Sequence, residues 1–292
     1  MIPEDAASNS SREASAAGLL DANDKVSASP PVAFQILKIM RESDFSTDAL
    51  LKLVQLDPEL TAQLLRLVNS VEFRGRGVTS LQEAVLRLGT AEISDKALSL
   101  TVGRLLAGPS TAYCPDPRAL WRHSVETALA CRYLSAQCRG VRLDADLAFT
   151  GGLLHDIGKL VINAAPPEAL KVIAEVMEEE GMSGADAELA VLGADHAEIG
   201  GLMLRRWNLP AELAHAIRFH HAPEFEGSEL AYLIHVGNCC AKVHAGSFGW
   251  RDFEESLRPF SLEKLGLPPV DVQECWGKAL EDMDFIERFM SH

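Results

Sequence analysis

The chain has 292 residues, 47% of them hydrophobic, and a formal net charge of −15, so it carries enough apolar material for one large or two modest cores. No stretch reaches the roughly 18 apolar residues that a membrane span requires, and the opening residues, with Glu4 and Asp5, lack the basic-then-apolar profile of a secretion signal, so a cytoplasmic protein without a membrane span is expected. Six cysteines without a CxxC pair read as reduced core thiols rather than a disulfide frame.

The charge is uneven along the chain: residues 1–27 carry −3, residues 28–112 balance nine acidic against nine basic groups, and residues 113–292 carry −12. That acidic second part repels nucleic acid, which is therefore excluded as a partner. Residues 1–27 are rich in Ser, Ala, Asn and Asp and offer too little apolar surface to offset ordering, so they are expected to form a disordered tail or one weak helix near residues 14–20. After Ser29-Pro30-Pro31, helical spacing begins with Val32, Ile36, Ile39 and Met40. Thr47 or Asp48 caps a helix through Leu50, Leu51 and Val54, and Asp57-Pro58-Glu59 opens another that ends at Asn69-Ser70. A loop around residues 75–77 leads to Thr79-Ser80, a cap for residues 81–88, and a further helix spans residues 91–106. Period-2 alternation is missing throughout, which makes residues 28–112 an all-helical module.

Three sets of consecutive words stand out in this module: Leu56-Asp57-Pro58-Glu59-Leu60-Thr61, Leu65-Arg66-Leu67-Val68-Asn69-Ser70, and Thr79-Ser80-Leu81-Gln82-Glu83-Ala84-Val85 with Leu88-Gly89. Together they resemble the N-terminal half of the HDOD family, HD-related output domains of bacterial signalling proteins. The resemblance implies an all-α protein in which a helical bundle module packs on an HD-like, phosphohydrolase-type helical domain, here residues 113–292.

A Gly/Pro-rich join over residues 108–117 precedes the second part. Asp116 caps and Pro117 starts a helix whose inward stripe includes Leu120, His123, Thr127, Ala130 and Leu134. The next helix is expected over residues 147–159 and carries the adjacent pair His155-Asp156, with Gly158 letting the backbone turn away. Pro166-Pro167 starts a surface helix that ends at Gly181. Asp195 and Glu198 resemble a capping arrangement that places His196 in a first helical turn. Pro210 starts a helix through His220-His221, and Ser228 caps residues 229–244, where Leu230, Ile234, Asn238 and Ala241 share a side. Further amphipathic helices follow over residues 250–257, 261–265 and 270–290.

His123, His155, Asp156, His196, His220 and His221 thus fall at helix ends or inward faces. Imidazoles with a carboxylate suit Fe, Mn, Zn or Ni better than Ca or Mg, and a bridging Asp156 could hold one or two such divalent ions. The order His, His-Asp, His, His-His resembles the metal-binding pattern of the HD superfamily, above all the HD-GYP cyclic dinucleotide phosphodiesterases. That resemblance implies these six residues as ligands and matches Lys159 to a position that contacts phosphate. It also marks departures. The closing carboxylate position holds Asn238, a neutral amide, and Ala222-Pro223 stands where the HD-GYP branch continues into its substrate loop. His215, His235, His244 and His292 match no ligand position. The expected function is a regulatory signalling module with a degenerate metal site, acting on a signalling protein partner; the alternative is a metal-dependent phosphohydrolase or phosphodiesterase with a nucleotide phosphate as its ligand.

Overall fold

A computed structural model of the chain describes residues 6–23, 35–36, 39, 47–69, 78–106, 110–225, 228–244, 257–258 and 260–290. Among the described residues the secondary structure is helical throughout, without strands. No helix among them is long and apolar enough to cross a membrane. The chain folds as two compact units, one of residues 29–105 with 285–292, the other of residues 1–28 with 106–284.

The helices of the first unit are α2 (Thr47–Gln55), α3 (Pro58–Val68), α4 (Leu81–Leu88) and α5 (Thr90–Leu106), following α1 (Ala6–Ala22) of the other unit. Leu50, Leu51, Leu53 and Val54 of α2 pack with Leu60, Leu64, Leu81, Ala97 and Leu100. The quoted words have local physical jobs here. Asp57 Oδ1 accepts the Leu60 N–H at 2.9 Å, closing the start of α3, while its Oδ2 accepts from Arg104 of α5 at 2.6 Å. Asn69 donates to the Val78 carbonyl at 2.7 Å and accepts the Val78 N–H, clasping the two ends of the segment between them. Ser80 caps α4 by accepting the Glu83 N–H at 3.2 Å. The expected helix over residues 32–40, the loop at 75–77 and the helix at 250–257 lie wholly or mostly outside the described residues.

In the second unit, α6 (Pro117–Ser135) packs along α7 (Ala145–Leu154), and α13 (Glu229–His244) lies across both. A second group consists of α9 (Pro167–Glu179), α10 (Gly184–Leu192), α11 (His196–Arg206) and α12 (Ala211–Arg218); the one-turn helix α8 (Lys159–Ile162) sits against α11. Helices α14 (Ser261–Leu265) and α15 (Pro269–Met290) complete the set. Close approach needs Gly152: a Cβ there would lie 2.7 Å from Ala128 Cα, so α6 and α7 touch backbone to backbone.

Two expectations are corrected. Where a disordered tail or one weak helix near residues 14–20 is expected, residues 6–22 form the longer helix α1, which packs on α11 with Ala16 and Leu20 fully buried. Composition misjudged it because the burial rests on two small contact points plus the ion pairs Arg205–Glu13 (2.8 Å) and Arg206–Asp21 (2.7 Å), which no local pattern reveals. The helix expected over residues 147–159 stops at Leu154, with turns through Asp156 and Gly158 before α8. Residue 158 must be glycine: a Cβ there would sit 2.0 Å from the His196 carbonyl oxygen, so the turn is pressed against the start of α11.

Candidate metal centre

Each functional side chain leaves a helix end or an inward face of the second unit. His123 comes from α6, one turn before Thr127, whose hydroxyl bonds back to the His123 carbonyl at 2.8 Å. His155 and Asp156 occupy the turn after α7, His196 opens α11, and His220 and His221 follow α12. Asp195 is the cap of α11, accepting the Glu198 N–H at 2.8 Å. Glu198 does not reach back to complete a capping box; its carboxylate accepts from Arg218 at 2.9 Å.

The structure brings all six together. One group is His123, His155 and Asp156, the other His196, His220 and His221, and in each the ligand-type atoms lie within 4.8 Å of one another. Asp156 faces both. Its Oδ2 lies 3.7 Å from His123 Nε2 and 3.5 Å from His155 Nε2, and its Oδ1 lies 3.0 Å from His196 Nε2. His123 Nε2 and His155 Nε2 are 3.2 Å apart, and His221 Nε2 and His196 Nε2 are 2.8 Å apart. Adjacent ligands at about 2.1 Å from a common ion stand about 3.0 Å (octahedral) to about 3.4 Å (tetrahedral) apart, so these separations are close to those of a coordination shell.

Proton placement supports the same fit. His155 Nδ1 is 2.7 Å from the Gly152 carbonyl oxygen, and His220 Nδ1 is 2.7 Å from that of Ile217. A carbonyl only accepts, so both Nδ1 atoms carry the proton and both Nε2 atoms present a lone pair. His220 Nε2 is buried without a hydrogen-bond partner, a state that costs free energy unless something electrophilic faces it. Burial pushes His155 down to about 4, and burial with the neighbouring His155 pushes His123 to about 3. Burial also holds His220 and His221 well below the ordinary range. Four imidazoles are thereby kept neutral, the form that binds metal.

His196 differs. Although burial opposes its charge, the Glu188 carboxylate raises it to about 9. Glu188 Oε2 accepts from the His196 backbone N–H at 2.7 Å and from its Nδ1 at 2.6 Å. Tyr113 donates its hydroxyl to Glu188 Oε1. The sequence reading missed both residues, along with the helix α10 that carries Glu188. The signals for that helix were present: Ser183 caps it by accepting the Asp186 N–H, and Gly193 ends it at φ 76°. Against burial, His155, Lys159 and His196 hold the Asp156 carboxyl well below the usual carboxylate range.

Lys159 donates to Asp156 Oδ2 at 2.8 Å. Asn238 is buried on α13 with its Oδ1 lacking a hydrogen-bond partner. His235, one turn before Asn238, donates from Nδ1 to the His220 carbonyl at 3.0 Å and accepts the Arg258 N–H at Nε2 at 3.1 Å, so it positions the His220 backbone. Beside His221, Arg12, Asp195, Glu198, Arg218 and Phe225 line a small cleft of about 100 Å³.

Known proteins share this architecture. A structure of an HDOD domain protein from Geobacter sulfurreducens superposes with a TM-score of 0.78 at 20% identity, over 95% of this chain and 98% of its own. A chain from Shewanella amazonensis SB2B whose name proposes a phosphohydrolase gives 0.70 at 25% identity, over 93% and 97%. Among curated sequences, a protein of Treponema pallidum (strain Nichols) is 28% identical over 250 residues, 84% of this chain and 48% of its own length. Ribonuclease Y of Syntrophotalea carbinolica is 27% identical over 198 residues, 67% of this chain and 31% of its own. The chain spans less than half the length of either curated relative. The HDOD domain family model matches residues 26–223, and with the helical fold and the His/Asp arrangement in place, this chain belongs to the HDOD family.

Proposed function

We propose that the protein is a metal-binding regulatory module of bacterial signal transduction, which acts through contact with a signalling partner rather than through turnover. The observation that carries this reading is the burial of the middle of the centre. His155, Asp156, His196 and His220 are at most 2% exposed, His123 and His221 are part-exposed at its edges, and Lys159 sits on Asp156 Oδ2. A buried ligand set is the mark of a structural or regulatory metal, whereas catalytic sites keep an open position. Iron, manganese, zinc or nickel fits the imidazole-rich set, held by His123, His155 and Asp156 on one side and by Asp156, His196, His220 and His221 on the other. Such an ion, when bound, neutralises the convergent lone pairs and supplies Lewis acidity.

A second reading has its own support. Asp156 offers one oxygen to each histidine group, as in a two-ion phosphohydrolase, and a small cleft adjoins His221; the ligand in that reading is a nucleotide phosphate, with Lys159, which pairs with Asp156, as its phosphate contact. The Shewanella chain's name points the same way for that protein. The Ribonuclease Y likeness concerns proteins that this chain covers only in part, and the −15 charge opposes an RNA partner.

The test is a turnover panel of Mn²⁺-loaded protein with cyclic dinucleotides, nucleotide phosphates and RNA. The regulatory reading expects no turnover above background. Turnover of any of these at ordinary enzymatic rates, about 1 s⁻¹ or more, would overturn it in favour of the phosphohydrolase.

A further inference from the structure

Glu188 is fully buried, and a buried carboxylate is tolerated only when its oxygens are engaged. Its donors come from two distant places in the chain. Oε2 serves His196, through both the backbone N–H and the ring; Oε1 serves Tyr113, 75 residues earlier in sequence. Tyr113 belongs to the connector of residues 110–116, which leads from α5 of the first unit into α6. The connector is a tight turn, with the Thr111 N–H donating to the Cys114 carbonyl at 3.0 Å and the Cys114 N–H donating to Thr111 Oγ1 at 3.0 Å. It has a second tie: Thr111 donates its hydroxyl to Asn163 Oδ1, at the end of the short helix that Lys159 begins. Both ties therefore lead toward Asp156, through Glu188 and His196 on one side and through Asn163 and α8, which Lys159 begins, on the other.

We propose that Tyr113 and Glu188 are a positioning pair for His196, and that through them occupancy of the metal centre sets how firmly the connector is held. This rests on the metal-binding reading above. The reasoning is thermodynamic. A contact that orients a ligating imidazole raises metal affinity, and by reciprocity the metal strengthens that contact by the same factor. The connector lies within the second unit, just before α6, so a change in how firmly it is held needs no rearrangement of α6 to α13. Ion occupancy thereby becomes a signal that a partner of the module can read.

The experiment uses the full chain and Mn²⁺ alone as the probe. Titration calorimetry reads affinity, and hydrogen exchange reads the amides of residues 110–116, with those of α13 as an internal control for folding. In the native chain, Mn²⁺ should slow exchange in the connector about fivefold or more, the lower end of usual coupling strengths. Tyr113→Phe should weaken Mn²⁺ binding about fivefold and abolish the connector response while α13 stays protected. Glu188→Gln should weaken binding about 10- to 100-fold. If Glu188→Gln does not fold, Tyr113→Phe still decides the matter. Native affinity and native connector protection in Tyr113→Phe would overturn the proposal. A native chain that binds Mn²⁺ with no change at residues 110–116 would overturn the coupling and leave the metal reading standing. A native chain that gives no binding heat and no Mn²⁺ would overturn both.

Discussion

Asp57 and Asp156 are the same side chain put to opposite uses. Asp57, in the first unit, closes the start of α3 and pairs with Arg104, a permanent cation, with both groups part-exposed. It is complete as it stands. Asp156, in the second unit, is 2% exposed and faces three imidazoles and Lys159, and two of those imidazoles are held neutral by burial. Near it, His220 Nε2 is a buried acceptor without a hydrogen-bond partner. A site that is satisfied in itself stabilises a fold; buried neutral imidazoles beside a carboxylate offer lone pairs that a cation could take.

The sharpest way to break this comparison is to delete each carboxylate. Asp156→Ala should reduce metal content at least about tenfold, since loss of an outer partner alone commonly costs 10- to 100-fold; elemental analysis of purified protein checks it. Retained full occupancy would remove Asp156 from the centre. Asn238→Asp sharpens the contrast by supplying the missing carboxylate. It should raise Mn²⁺ affinity by about tenfold or more, yet lower the melting temperature in chelator, because a buried charge without a partner destabilises. A melting temperature that falls equally with and without metal would place Asn238 outside the centre.

Backbone contact predicts the next effect. Gly158→Ala forces a Cβ against the His196 carbonyl, where backbone rather than a flexible side chain must yield. The expected loss is about 1–3 kcal/mol, read from a urea midpoint, and metal binding should weaken with it. Removal of residues 1–22 uncovers the pocket filled by Leu20 and should cost about 1.5–3 kcal/mol on the same scale. A truncated chain that unfolds with the native midpoint would show that α1 contributes nothing. The smallest effect belongs to Asp57→Ala, about 1 kcal/mol for a lost cap, with metal content unchanged.

How far the sequence reaches follows the same division. The helices of the first unit and the ligand types of the second were legible because caps, prolines and helical spacing are local: Ser80, Asp116, Pro117 and Asp195 act where the pattern places them. The six candidate ligands were legible through a resemblance in order and residue type, which spacing alone would not have supplied. Glu188 and Tyr113 were not, because their role exists only through contacts 8 and 75 residues apart in the chain. Nor was the break of α7 at His155. A helix pattern continued through it, while the turn that follows is fitted, at Gly158, to the carbonyl of a residue on another helix. The packing of α1 escaped for a similar reason, since two buried side chains and two long-range ion pairs leave no periodic trace.

The central claim is that the convergent imidazoles and Asp156 form a transition-metal centre. The most direct test is the stoichiometry of tightly held metal in the full-length chain, by elemental analysis after purification without chelator and after Mn²⁺ reconstitution and desalting. The account predicts one to two ions per chain, falling below about a tenth of that in Asp156→Ala. A native chain that retains no stoichiometric metal under either condition, while remaining folded, would contradict it.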